Sequence, residues 1–341
     1  MRFWFLALVL VTALSCTLGA VWGAKADTLA EVRQRGVLRC GVSDRAPGFS
    51  FADEKGQRQG FEIDFCDALA AAIFGTPKVE YVPLLPRDAF ATLKNGGVDI
   101  FADRAAWTFL RDTSVGLSYA AIYFYEGQGF MVKKSLGVKS AKELQGASFC
   151  TTQGTTYELN LADWARAEKI EYKVLTFADF DEARRAYESG RCDVWTADVG
   201  NLATRGIALQ NRADHVILPE IISREPLGPM VRDGDEWWRK IVFWVHNARV
   251  AAEDFGITRA NVDEMKASTA NPEIQRLLGV NGEFGAKLGL SNDWAVSVIK
   301  AAGNYGETWE RHLGPSTPLH LPRGLSALVR NGGLLYPLPF R

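Results

Sequence analysis

Asp88-Ala89-Phe90-Ala91-Thr92-Leu93-Lys94-Asn95-Gly96-Gly97-Val98-Asp99-Ile100 and Glu182-Ala183-Arg184-Arg185-Ala186-Tyr187-Glu188-Ser189-Gly190-Arg191-Cys192-Asp193-Val194 follow one pattern, 94 residues apart. Each reads as a helix, a glycine supplying the left-handed residue that ends it, and an apolar strand, Val98 to Phe101 or Val194 to Ala197. A second landmark also repeats. Gly36 to Cys40 and Gly146 to Cys150 share a Gly-x-x-x-Cys spacing, and each opens a unit. Between the landmarks, helical apolar spacing over Phe61 to Phe74 precedes strand-like Val79 to Pro83, and Glu158 to Lys169 precedes Tyr172 to Leu175. Strands alternating with helices predict an α/β protein of two doubly wound lobes, each with its own small parallel sheet.

The chain enters the second lobe near Tyr123 to Lys133 and leaves it near Val216 to Val231, where Pro219, Pro226 and Pro229 interrupt regular structure. Two crossings make a hinge. The expected division is 27–124 plus 226–341 for lobe 1 and 125–225 for lobe 2. After residue 232 helices are expected, including Glu236 to Phe255 and Asp293 to His312, packed on the outside of the first lobe. The tail from Pro315 reads as an irregular wrap.

Composition bounds the function. The chain has 341 residues, 47% hydrophobic and 23% charged, which excludes disordered, collagenous and coiled-coil classes. Its net charge is −1. No basic stripe suits a phosphate backbone, so nucleic acid is not the expected partner and the ligand should be small. Arg2, an apolar run from Phe3 to Ala13 and the small-x-small Ala24-Lys25-Ala26 read as a signal peptide over 1–26, with Asp27 starting the mature chain. An uncleaved anchor over Phe3 to Ala24 and a lipid at Cys16 are the alternatives, and all three export the chain. No later segment reaches 18 consecutive apolar residues. The remaining cysteines, Cys40, Cys66, Cys150 and Cys192, are even in number, as disulfides in an oxidising space require. Three pairings are open, beside four buried free thiols. His215, His246, His312 and His320 are scattered, so no zinc spacing arises.

Ligands of open α/β sheets bind beyond the carboxyl ends of the strands, which directs attention to three segments. After the first repeat strand come Asp103, Arg104, Ala105, Ala106, Trp107 and Arg111. Arg111 has the two-pronged geometry that grips a carboxylate, or it lies on a helix face paired with an acid. Gln153 to Glu158 carries Thr155 and Glu158 at capping-box spacing, and the helix start they imply, with the Thr156 hydroxyl, is an anion site or simply a cap. Asp198 follows the second repeat strand at the position matching Arg104, facing an ammonium or serving as a helix N-cap. A cation, a helix start and an acid on facing lobes suit a zwitterion. There is no Gly-x-Ser-x-Gly elbow, phosphate loop or dinucleotide fingerprint, so neither a cofactor nor a metal is expected.

Further stretches carry a family resemblance: Gly60-Phe61-Glu62-Ile63-Asp64-Phe65-Cys66, Glu126-Gly127-Gln128-Gly129-Phe130-Met131-Val132, Thr155-Thr156-Tyr157-Glu158-Leu159-Asn160, Glu225-Pro226-Leu227-Gly228-Pro229 and Gly303-Asn304-Tyr305-Gly306-Glu307. With them, nearly the whole mature chain resembles the periplasmic solute-binding proteins of polar amino-acid ABC transporters, in the general L-amino-acid-binding branch of bacterial solute-binding protein family 3. The resemblance implies the type II periplasmic-binding-protein fold. It also implies a monomer that closes on an amino acid or related carboxylate and delivers it to a permease. Arg111 and Thr156 would take the α-carboxylate, with Thr155 beside them, and Asp198 the α-ammonium. Ala105 and Ala106 depart from the family, which usually carries hydroxyls there. One disulfide per lobe, Cys40 to Cys66 and Cys150 to Cys192, leaves the hinge free and is the expected pairing.

Two further expectations follow. Arg104 adds a cation to the cleft: either the ligand is its partner, which favours a ligand with a second acidic group or a carboxylate that is not an α-amino acid, or Arg104 turns outward or pairs with Asp198 across the cleft, leaving a weak generalist. The rival classes are an enzyme on this scaffold, similar to the cyclohexadienyl dehydratases and using Asp103 or Asp198 as general acid, and a ligand-reporting partner of a membrane receptor.

Overall fold

The computed structural model describes residues 27–43 and 45–341, so the expected signal peptide and Cys16 lie outside the described residues. In chain order the strands are β1 (Leu38–Ser43), a small hairpin of β2 (Phe51–Ala52) and β3 (Arg58–Gln59), β4 (Val79–Leu84), β5 (Ile100–Ala106), β6 (Leu117–Tyr119) and β7 (Phe124–Glu126). Then come β8 (Gln128–Lys133), β9 (Ser148–Thr152), β10 (Lys173–Phe177), β11 (Val194–Asp198), β12 (His215–Ile217) and the returning β13 (Glu225–Arg232). The first sheet has the order β4-β1-β5-β13-β6, with β7 also on β13; the second has the order β10-β9-β11-β8-β12.

The repeat explains the shared plan. In both sheets three strands run parallel, β4-β1-β5 and β10-β9-β11. Both repeat helices, Pro86–Lys94 and Phe180–Glu188, end two residues before a glycine with φ of 75° (Gly96) or 80° (Gly190). The expectation of wholly parallel sheets is corrected. Strands β13 and β8 lie antiparallel to their neighbours, because each enters its sheet from the opposite lobe through the hinge.

The helices after the return belong to the first lobe. Helix Glu236–Asp254 buries Trp238, Ile241 and Val245 in one apolar cluster with Phe61, Phe65 and Leu69 of helix Phe61–Phe74. The single helix expected over Asp293 to His312 is two, Trp294–Ala302 and Tyr305–His312. Gly303 breaks it at φ 82°, and Asn304 restarts it through a capping box with Glu307. Trp309 then stacks on Phe124 at 5.0 Å, fastening this outer layer to the hinge strand β7. Residues 315–341 hold two 3-10 turns, Gly324–Ser326 and Val329–Asn331, and bury Leu328, Leu335 and Phe340 in the first lobe's apolar cluster.

The cysteines pair as expected, Cys40 with Cys66 and Cys150 with Cys192. The first bridge joins β1 to helix Phe61–Phe74, and the second joins β9 to the residue pair before β11. Among the described residues no helix is long and apolar enough to cross a membrane.

The chain crosses between the sheets at Gly127, between β7 and β8. A Cβ on Gly127 would fall 2.7 Å from Ser223 O, on the return crossing. The two crossings therefore touch, and glycine is what lets them.

Candidate functional site

The carboxyl ends of β5, β9 and β11 meet across a cleft that Arg104, Arg111, Thr155, Thr156, Asp198 and Asn201 help to line. Its cavity is about 40 Å³. One water needs about 10–15 Å³ on this measure, so the space suits a small solute.

Arg111 lies in the short helix Phe109–Ser114, held by the Thr108 cap. Its Nη1 donates to Ala106 O at 3.2 Å and its Nη2 to Gly154 O at 3.1 Å, so the guanidinium spans the two lobes. Gly154 permits this approach: its φ is +76°, and a Cβ there would fall 2.7 Å from Arg87 N of the first lobe.

The capping box expected from Thr155 and Glu158 does not form. The helix is Tyr157–Glu168, capped at Thr156 without a side-chain bond, because the turn before it runs one residue further. Thr155 Oγ1 instead donates to Thr152 O at 2.7 Å and accepts from Tyr157 N at 3.3 Å, while Glu158 accepts from Thr176. The Thr156 hydroxyl donates to Glu225 at 3.2 Å. Trp107 is turned away from the cleft, stacked on Tyr119 at 4.9 Å.

Asp198 stands at the end of β11, formally the N-cap of helix Val199–Arg205, but its side chain makes no cap bond. Oδ2 accepts from Tyr157 OH at 2.8 Å, and Tyr157 OH also accepts from Asn201 Nδ2 at 3.2 Å. Oδ1 is buried without a hydrogen-bond partner among the described residues. Burial, reinforced by the nearby Glu126 and Glu225 charges, pushes the Asp198 carboxyl well above the usual carboxylate range. An incoming cation would counter the Glu126 and Glu225 charges and favour the ionised carboxylate.

Arg104 was expected just beyond the first repeat strand; the strand in fact continues to Ala106. The antiparallel β13, pairing Gly228 with Ala105 and Leu227 with Ala106, prolongs it. Arg104 is therefore held inside the sheet, with its side chain 3% exposed. Nε donates to Glu62 Oε1 at 3.3 Å, Nη2 to Asn201 Oδ1 at 3.3 Å, and Nη1 lies 3.7 Å from Glu126 Oε2. The expectation that a ligand acid would be its partner is thus corrected: Glu62 and Glu126 already fill that role. Asp103 accepts from Ser43 Oγ and from Arg104 N, both at 2.6 Å.

Sequence reasoning missed Glu62, Glu126, Glu225 and Asn201. The one available signal was acids in apolar company, Glu62 within Phe61–Phe65 and the two hinge glutamates beside Gly127 and Pro226.

Residues 38–242 match the bacterial extracellular solute-binding proteins, family 3. The chain is 50% identical to the glutamate/glutamine/aspartate/asparagine-binding protein BztA of Rhodobacter capsulatus, over 93% of this chain and 94% of that one. It is 48% identical to the general L-amino acid-binding periplasmic protein AapJ of Rhizobium johnstonii, with the same coverage. A solved periplasmic binding protein from Brucella ovis with glutathione bound superposes with a TM-score of 0.90 at 49% identity, covering 93% of this chain and all of that one. The two-lobed fold and these matches place the chain in family 3 of the bacterial extracellular solute-binding proteins, to which it belongs.

Proposed function

We propose that this protein captures a small amino acid or related carboxylate outside the cytoplasm, between lobes made of 27–124 with 226–341 and of 125–225, and delivers it to an ABC permease without chemical change. Arg111 and Thr156 take the α-carboxylate, the first with two N–H groups and the second with its hydroxyl and the start of helix Tyr157–Glu168. Asp198 takes the α-ammonium. The observation that carries this reading is the buried, unpartnered Asp198 Oδ1 in the same cleft as the Arg111 guanidinium, an acceptor and a cation on facing walls. The names of the relatives, binding proteins for amino acids, support the same class of ligand. The glutathione of the Brucella ovis protein adds γ-glutamyl peptides to the ligands worth testing.

A thermal-shift screen of the twenty amino acids, small carboxylates and glutathione tests it. A ligand at 100 times its Kd stabilises by about 2.7 kcal/mol. A shift for at least one α-amino acid is expected, and the absence of any shift across the panel, repeated by calorimetry, would refute the reading.

A further inference from the structure

Helix Val199–Arg205 follows directly on Asp198, in the wall of the cleft, and ends at Arg205. Midway along it, Asn201 Oδ1 accepts from Arg104 Nη2 of the first lobe at 3.3 Å. At its far end Arg205 Nη1 donates to Arg45 O, also of the first lobe, at 3.0 Å. One short helix thus leads from the cleft to two bonds across the seam between the lobes. Within the second lobe the Arg205 guanidinium lies 4.7 Å over the Phe180 ring, with Nη1 3.6 Å from Asp181 Oδ1. Its side chain is only 4% exposed.

The seam at Arg205 adjoins the ligand cavity without being part of it. A gap of about 10 Å³ there, room for one water at most, is lined by Arg205, by Phe180 and by Ser43, Arg45, Leu84 and Leu85 of the first lobe. Pro86, Asp103 and Phe180 line both the gap and the cavity, whereas Arg205 does not line the cavity. The guanidinium is sheltered by first-lobe residues, so parting of the lobes would return it to water. A charge-assisted bond to a carbonyl is stronger in a sheltered place than in an open one. The bond to Arg45 O therefore favours the closed arrangement, whichever solute is inside.

We propose that Arg205 is a positioning residue that latches the closed lobes and sets how long a bound amino acid is held, without touching it. This deepens the capture reading and rests on it. Two consequences separate a latch from a ligand contact. Different amino acids gain equally, since the bond is the same for each. The gain falls on release rather than on encounter, since the bond forms only once the lobes have met.

Radiolabelled L-glutamate and L-glutamine on the purified protein read association directly, and a chase with unlabelled amino acid reads dissociation. Arg205→Met keeps the length and the contact with Phe180 but has no N–H to donate. It should speed dissociation of both probes by about tenfold or more, leave association within about twofold, and leave the ratio of the two affinities unchanged. Arg205→Lys restores a cation near Asp181 with a shorter, single head and should recover only part of the loss. A merely structural role would lower the melting temperature of the unliganded protein without singling out dissociation. If Arg205→Met fails to fold by thermal melt, dissociation from Arg205→Lys decides, and faster release than from the unmodified protein is expected. Unchanged dissociation, an equal loss in both rates, or a shifted affinity ratio overturns the latch and leaves capture standing. If the unmodified protein binds neither probe, the rates of its tightest binder among the twenty amino acids decide. Binding of none of them overturns capture and this inference with it.

Discussion

Glu126 and Glu225 are register partners across the two hinge strands, and both carboxylates reach into the second lobe. Glu126 accepts from Gly200 N, and Glu225 accepts from Thr156 Oγ1 and from Asn160 Nδ2, the latter at 2.6 Å. Each crossing of the chain thus carries a buried acid that pins the start of a second-lobe helix. The hinge is an electrostatic element as well as a mechanical one.

That arrangement predicts a pH dependence of stability. Burial pushes the Glu126 carboxyl up to about 7 against the opposing charge of Arg104, and burial with the Asp103 charge pushes Glu62 up to about 8. Unfolded, both titrate near 4.5. Between those values the native state holds protons that the unfolded chain has released. The stability these two groups contribute is therefore complete below about pH 4.5 and is lost as pH rises towards 8. Glu126→Gln removes one of the two titrations, so its melting temperature should fall less between pH 5.5 and 8.5 than that of the unmodified protein. An equal fall in both would remove Glu126 from the account.

Arg111→Ala should weaken binding of any α-amino acid by about 3 to 5 kcal/mol, a hundredfold or more, because the ligand carboxylate would be buried without its main charge partner. Arg111→Lys restores the charge but not the paired N–H geometry and should recover only part of the loss. Asp198→Asn should weaken amino acids while sparing carboxylates that lack an amine. Calorimetry with both ligand types separates these outcomes; normal binding of the cognate ligand by both the Ala and Asn variants would mean the site lies elsewhere.

Each bridge lies within one lobe, closing loops of 26 and 42 residues. Chain entropy assigns them about 3.5 and 4 kcal/mol. Reductant should lower the melting temperature markedly, yet below the transition it should leave ligand affinity nearly unchanged, since neither bridge restrains the hinge. Loss of affinity in parallel with reduction, in a protein still folded by circular dichroism, would contradict this.

Asp64 joins helix Phe61–Phe74 to the outer helix Tyr305–His312. Its Oδ2 accepts from Thr308 Oγ1 at 2.9 Å, from His312 Nε2 at 3.1 Å, and from Arg311. Burial alone would raise this carboxyl, but the hydrogen bond and charge of His312, followed by Arg311 and Arg249, outweigh burial and hold it below the usual range. Its contribution is present above about pH 4 and is lost as the medium turns more acidic. Asp64→Asn should cost about 3 kcal/mol or more at neutral pH, read by chemical denaturation, and should leave ligand affinity intact because Asp64 faces away from the cleft.

The fold was legible because it rests on local signals that occur twice. Glycines end both repeat helices, and helix Phe61–Phe74 has the limits its apolar spacing gives. The break at Gly303 was missed, although Asn304 and Glu307 stand at capping-box spacing. The length of β5 was not legible, because β13, more than a hundred residues later, prolongs it by pairing with Ala105 and Ala106. Arg111, Thr156 and Asp198 are brought to one cleft, since all three follow strand ends whose positions the repeat fixes. Trp107 is drawn off by Tyr119, and Arg104 by Glu62 and Glu126, partners from other elements that no local pattern reveals.

Because the two crossings touch at Gly127, a substitution there is expected to change how readily the cleft fills, although Gly127 does not line it. A methyl at 127 would press on Ser223 O and on Ile221, favouring whichever arrangement of the lobes holds the crossings further apart. Apparent affinity scales with the fraction of molecules already in the binding-competent arrangement. Substitutions at 127, 221 or 223 would therefore tune how scarce a nutrient the cell can scavenge, with the cleft chemistry and its selectivity unaltered. Within the hinge, position 127 would act on how readily the cleft fills, while the neighbouring Glu126 and Glu225 act on the cleft residues Arg104, Thr156 and Asp198 themselves.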